Sequence, residues 1–204
     1  MVESVNIFFL DKDPKLAAQY HVDDHFKMIL ESGQLLSTTI RLNLGTATKV
    51  TAPNGKTKVV YLLEGETYTW KKRTVKGVVK YDFQGSSGLY VQTHVNHPCA
   101  VWTRKCFANF KWVYDLMIEL DRERRFRKNT AIEHKTAVQM YEAKVIYLAS
   151  EIFNVGSHTI TPPALAMPDN CKISSDPVEC YREYYRKEKQ ALHQWTNREV
   201  PFWL

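Results

Sequence analysis

On both sides of residues 45–93 the apolar residues of this chain keep helical spacing; within that stretch they do not. There Val59–Leu63, Thr67–Trp70, Val75–Phe83 and Leu89–Thr93 are rich in β-branched and aromatic residues. Asn54-Gly55, Glu64-Gly65 and Gly85-Ser86-Ser87-Gly88 punctuate them as turns. Such a pattern predicts a mainly α protein, a helical core with a small antiparallel β-sheet inserted at about residues 45–93. The chain has 204 residues and no long linker. One helical domain over 1–204, carrying a basic β insertion, is the expected organisation.

The flanks can be read in more detail. Asn6–Leu10 predicts a short buried strand. Asp13-Pro14 starts a helix, because aspartate caps free N–H groups and proline suits the first turn. Helical spacing then runs to about Asn43, with an interruption near Val22-Asp23-Asp24. Pro98 opens a long helix in which Trp102, Cys106, Phe110, Val113, Met117 and Leu120 share a face. Thr130 with Glu133 forms a capping box for a helix carrying Val138, Tyr141, Val145, Leu148 and Ile152. Asp176-Pro177 caps a last helix carrying Val178, Tyr181, Tyr185, Leu192 and Trp195.

Charge narrows the partners. The net charge is +6, and residues 45–90 alone carry +5 while 122–128 carry +4. Two basic zones suit a polyanion, so nucleic acid or a nucleotide is the expected partner; two solvated faces are the structural alternative. No apolar run reaches the roughly 18–20 residues that span a bilayer, and Glu3 stands where a signal peptide needs a base. A cytoplasmic protein without membrane contact, its four cysteines free thiols, is therefore expected. No P-loop, dinucleotide fingerprint or nucleophile elbow is present, and the sequence identifies no cofactor.

Two constellations stand out. The first is His21, Asp23, His25, Lys27 and Glu31, dense in ionisable groups. On one continuous helix His21 and His25 would share a face, as would Lys27 and Glu31. Histidine exchanges protons near neutral pH, and a neighbouring acid fixes its tautomer. A metal is conceivable there, but the pattern lacks further ligands and no metal is assigned. The second is His94, Asn96 and His97 with Trp102 one turn on, at the positive end of the helix that Pro98 opens, where anions bind; helix capping is the simpler use. Arg124, Arg125, Lys135 and Arg198 are further phosphate-binding candidates. The basic run at 122–128 also suits the negative end of a helix dipole.

Asp11-x-Asp13-Pro14, Tyr20-His21-x-Asp23-x-His25-x-Lys27-Met28-x-Leu30-Glu31, Asn96-His97-Pro98-Cys99-Ala100-x-Trp102, Met167-Pro168-Asp169 and Trp195-x-Asn197-Arg198-Glu199-Val200-Pro201 resemble a protein family of large DNA phages. The resemblance runs nearly end to end outside residues 45–90 and brings no activity with it. A fainter similarity is to the phage-type pyrimidine-dimer DNA glycosylases, small basic helical enzymes that use an amine nucleophile and an acid; where these have an Arg-Glu pair, this chain has His21-Val22. The expected function is a nucleic-acid- or nucleotide-processing enzyme acting on a pyrimidine base, by N-glycosidic cleavage, as that similarity implies, or by transfer of a group. His21 and His25 would shuttle protons and Asp23 and Glu31 would act as acid, base or orienting carboxylate. Lys27 would be a Schiff-base amine or a stabilising cation. The basic insertion with Arg124, Arg125 and Arg127 would hold phosphates, and Trp70 or Trp102 would stack on a base. The rival reading is a non-catalytic module that binds nucleic acid or a host protein.

Overall fold

Asp13 and Asp176 do what their positions before proline predict. Each side chain accepts the N–H two residues on, starting α1 (Pro14–Tyr20) and α7 (Pro177–Glu188). The structure, a computed structural model, describes residues 5–156 and 159–204; the start of the chain at 1–4, with Glu3, lies outside the described residues. After α1 a single 3-10 turn, Asp23–Lys27, leads into α2 (Met28–Leu44), so the helical pattern breaks where Val22-Asp23-Asp24 predicts.

The helix α2 is the centre of the core. It buries Ile29, Leu35, Leu36 and Ile40, and also Ser32, Ser37, Thr38, Thr39 and Arg41. A helix buried on nearly all sides needs neighbours on each. They are α4 (Phe107–Arg127), α3 (Pro98–Thr103), α5 (Lys135–Glu142) and α6 (Val145–Ile152). Gly33 allows α5 its approach: a Cβ there would collide with Thr136 Cγ2.

Several boundaries differ from the sequence reading. Val5–Leu10 is buried but pairs with no strand. Several of its polar groups are met without a partner strand: the Asn6 carboxamide oxygen accepts from the Ile7 and Phe8 N–H groups, and its nitrogen donates to the distant Ala166 carbonyl. The helix opened by Pro98 stops at Thr103 and restarts at Phe107, so Trp102 and Cys106 are not on one helix. Thr130 and Glu133 form no capping box; His134 caps α5 through Nδ1, which accepts the Thr136 N–H. Lys144, at φ +51°, separates α5 from α6. Leu192 and Trp195 lie beyond the end of α7.

The insertion is two hairpins. β1 (Thr46–Thr51) pairs antiparallel with β2 (Thr57–Leu62), and β3 (Tyr68–Val75) with β4 (Val78–Gly85), in two separate two-stranded sheets. Thr46–Thr51 carries little apolar signal and escapes the pattern. Leu89–Thr93, expected as a strand, is a strap across α2: Ser37 and Thr38 hydroxyls accept the Tyr90 and Thr93 N–H groups.

Arg41 holds these parts together. Its guanidinium makes a two-pronged pair with Glu66, both bonds at 2.8 Å, and donates to the carbonyls of Tyr61, Leu89 and Tyr90. The two side chains are 0% and 1% exposed. Burial would raise the Glu66 pKa, but hydrogen bonds from Arg41, Ser87 and the Leu63 N–H outweigh it and hold the carboxyl below its ordinary value. Both hairpins are thus tied to the helical core through one ion pair.

Candidate nucleic-acid interface

The two basic zones behave oppositely. All eight bases of residues 45–90 are exposed. Arg73 pairs with Asp82; the other seven make no ion pair with any described residue. At the end of α4 four of the five bases, all but Lys128, are instead paired with acids. Arg122 pairs with Glu119, Arg124 and Arg125 with Asp121, and Arg127 with both Glu123 and Asp23. Field from the first zone reaches solvent; that from the second is largely cancelled.

Period-two alternation places aromatic rings among these lysines. Tyr68 and Trp70 of β3 share a face with Tyr81 and Phe83 of β4, in a register that pairs Trp70 with Phe83. Tyr68 stacks on Phe83 with ring centroids 5.1 Å apart, and Trp70 meets Phe83 edge-on at 5.9 Å. From the other hairpin the Lys58 ammonium sits 5.3 Å from the Trp70 ring and 5.2 Å from that of Phe83. Burial pushes the Lys58 pKa down, with Asp82 opposing and Arg41 adding to the shift.

Two hollows border this cluster. One, of about 320 Å³, runs between the hairpins past Lys56, Lys58, Lys80 and Trp70. The other, of about 720 Å³, lies between β4 and α5 and is lined by Lys58, Lys135, Gln34 and Glu142 among others. Lys58, Tyr81 and Asp82 line both, so the two hollows adjoin.

The first histidine constellation lies elsewhere. His21 caps the end of α1 and His25 sits in the 3-10 turn, so they do not share a helix face. They are nonetheless neighbours, ring centroids 6.0 Å apart, and both are fully buried. His21 Nδ1–H donates to the Ala17 carbonyl at 2.7 Å, and His25 Nδ1 shares a 2.5 Å hydrogen bond with the Tyr185 hydroxyl. The Nε2 of each has no partner among the described residues. Burial lowers their pKa values to about 4 and about 2, so both are neutral imidazoles at pH 7. Phe8, at φ +38°, stacks on His25 with centroids 4.2 Å apart.

The carboxylates and lysine of that motif serve the fold. Asp23 accepts from Arg127 Nη1 at 2.9 Å and from the Thr196 hydroxyl at 2.6 Å. Burial raises its pKa, and these bonds more than reverse the effect. Lys27 closes the 3-10 turn while Glu31 belongs to α2, so the two are not on one continuous helix. Lys27 pairs with Asp24 at the surface, and the Glu31 carboxylate accepts the Asn6 N–H. Arg198 is bonded to Glu123 through both Nε and Nη2 and lies over the Phe126 ring.

In the second constellation His94 and Asn96 are exposed, and half-buried His97 caps α3 by accepting the Cys99 N–H. Burial, then His94, lowers the His97 pKa. Trp102 is buried and its indole N–H donates to the Thr161 carbonyl. His97 lines a hollow of about 370 Å³ together with Phe8, Met28 and Lys189, which His21 and His25 do not line. Among the described residues no three His, Cys, Asp or Glu side chains are grouped to hold a metal ion. No helix among them is long and apolar enough to cross a membrane.

Of the expected residues, Trp70 belongs to the aromatic-lysine cluster and Lys135 lines the cleft beside it. Sequence reasoning missed Tyr68, Phe83 and Glu142. The alternation Tyr68-x-Trp70 and Tyr81-x-Phe83 was a usable signal for the rings; nothing in the sequence marks Glu142. No family model, no curated protein and no solved structure matches the chain.

Proposed function

We propose that this protein binds nucleic acid through its two hairpins, the lysines taking phosphates and the Tyr68–Trp70–Phe83 cluster offering faces to bases. The observation that carries this reading is seven exposed cations without an acid partner among the described residues, one of which, Lys58, lies over the Trp70 and Phe83 rings. Maintaining such a field costs self-repulsion, which a polyanion relieves by releasing its counterions. Stacking on aromatic side chains tolerates any sequence and works on unpaired strands.

The test is fluorescence anisotropy of labelled oligonucleotides over a salt series. Changing Lys71, Lys72, Lys76 and Lys80 together to Gln should flatten the log–log salt slope by about 3 for a single strand, at roughly 0.7 for each phosphate no longer neutralised. Replacing Arg122 and Arg125, each paired with an acid of α4, should leave the slope within error. Absence of binding at low salt, or an unchanged slope in the quadruple variant, refutes the reading.

A second reading, chemistry on a pyrimidine base by glycosidic cleavage or group transfer, draws on Phe8. A non-glycine residue at positive φ stores about 1–3 kcal/mol, and such strain collects at functional sites. Here it covers a buried imidazole with an unpartnered Nε2. Borohydride trapping on lesion-bearing DNA tests it: an adduct lost in Lys27→Gln supports the amine role. No adduct, and no product that changes in His25→Gln, removes it.

A further inference from the structure

The charge inside the larger cleft differs from that outside it. On the outer faces of the hairpins cations stand without acids, whereas the cleft also holds the carboxylates of Glu142 and of Asp82, the partner of Arg73. Carboxylates there weaken the pull on a phosphate chain. The cleft suits a neutral body with hydrogen-bonding edges.

The walls fit such a body. Tyr81 and Phe83 supply rings on the β4 side, and Val138 lies on the α5 side. The Gln34 side chain makes no hydrogen bond with described residues, and Glu142 makes no ion pair with them. A free carboxamide both donates and accepts; an ionised carboxylate only accepts. An acceptor-only group rewards a base that presents an amino group on its edge, as cytosine and adenine do and thymine does not.

We infer that the cleft between β4 and α5 takes one unstacked nucleobase bearing an exocyclic amino group, from a single strand whose backbone follows the hairpin lysines. This rests on the nucleic-acid reading above. The hollow between the hairpins, with Lys56, Lys58 and Lys80, shares Lys58, Tyr81 and Asp82 with the cleft, so a phosphate at the one lies within a nucleotide's reach of a base in the other. A duplex keeps its bases stacked and their edges paired, and would have to flip one out at a cost of a few kcal/mol.

The experiment compares oligodeoxycytidylate with oligothymidylate of equal length, at one salt concentration and neutral pH, by anisotropy. Cytidylate should bind about tenfold tighter to the natural protein. Glu142→Ala, on the exposed face of α5, removes the acceptor and should bring the ratio of the two affinities close to one. Equal affinities in the natural protein, or a preference that survives Glu142→Ala, overturn the base pocket yet leave the interface standing if the salt slope is steep. Failure to bind either strand overturns both.

Discussion

Acid should unfold this protein through two histidines. An unfolded chain protonates imidazole at about pH 6.5. In the fold burial lowers His21 to about 4, with Arg127 reinforcing it, and His25 to about 2, with His21, Lys189 and Lys27 reinforcing it. At pH 7 both states are neutral and nothing is lost. Below pH 6.5 the unfolded chain gains protons that the folded one refuses, so stability falls with pH by about 1.4 kcal/mol per unit for each group. At pH 5 that amounts to about 2 kcal/mol from each histidine and about 4 kcal/mol from the pair, a large part of the ~5–15 kcal/mol that holds a typical domain. The His21 share levels off near pH 4.

The assay is urea unfolding followed by tryptophan fluorescence at pH 7, 6 and 5, on the natural protein and on His21→Gln. Glutamine keeps a donor for the Ala17 carbonyl and does not titrate. The natural protein should lose about 4 kcal/mol between pH 7 and 5 through this pair, and the variant about half of that. His97 and His134, also lowered by burial, act equally in both proteins and cancel in the difference. Parallel pH profiles for the two proteins would refute the argument, because they would mean that His21 takes a proton in the fold as readily as in the unfolded chain.

Two further outcomes follow from the packing. Arg41→Met leaves the Glu66 carboxylate buried without its partner and should cost about 3–5 kcal/mol in thermal or urea unfolding; Arg41→Lys should not restore it, since an ammonium lacks the planar fork. Gly33→Ala forces a methyl against Thr136 and should destabilise by about 1–3 kcal/mol despite alanine's better helix propensity; a gain in melting temperature would mean that α5 gives way without penalty.

The expected residues show where reasoning from sequence stops. Asp13, Asp176 and the break at Val22-Asp23 were legible because caps and proline act within a few residues. The helix breaks at Arg104 and Lys144 were not, since the apolar spacing continues through both and only packing interrupts it. Arg127 resembles a phosphate ligand among its basic neighbours, yet Glu123, Asp23 and the carbonyls of Gln19 and His21 surround it. Arg41 is inconspicuous at the end of an apolar run, and it ties the hairpins to the core through Glu66 and three backbone carbonyls.

What the sequence determined by itself was local: a helical protein, where its caps fall, and an inserted β segment with excess positive charge. Only tertiary structure decided which charges remain available. A lysine and an arginine look alike in a charge count, but their field depends on acids brought near by folding. Those acids come from one turn away on α4, and for Arg127 and Arg198 from segments some seventy to a hundred residues distant. Among the described residues no acid, Asp82 apart, reaches the hairpin cations, and that difference in neighbours separates a structural base from one that can meet a ligand.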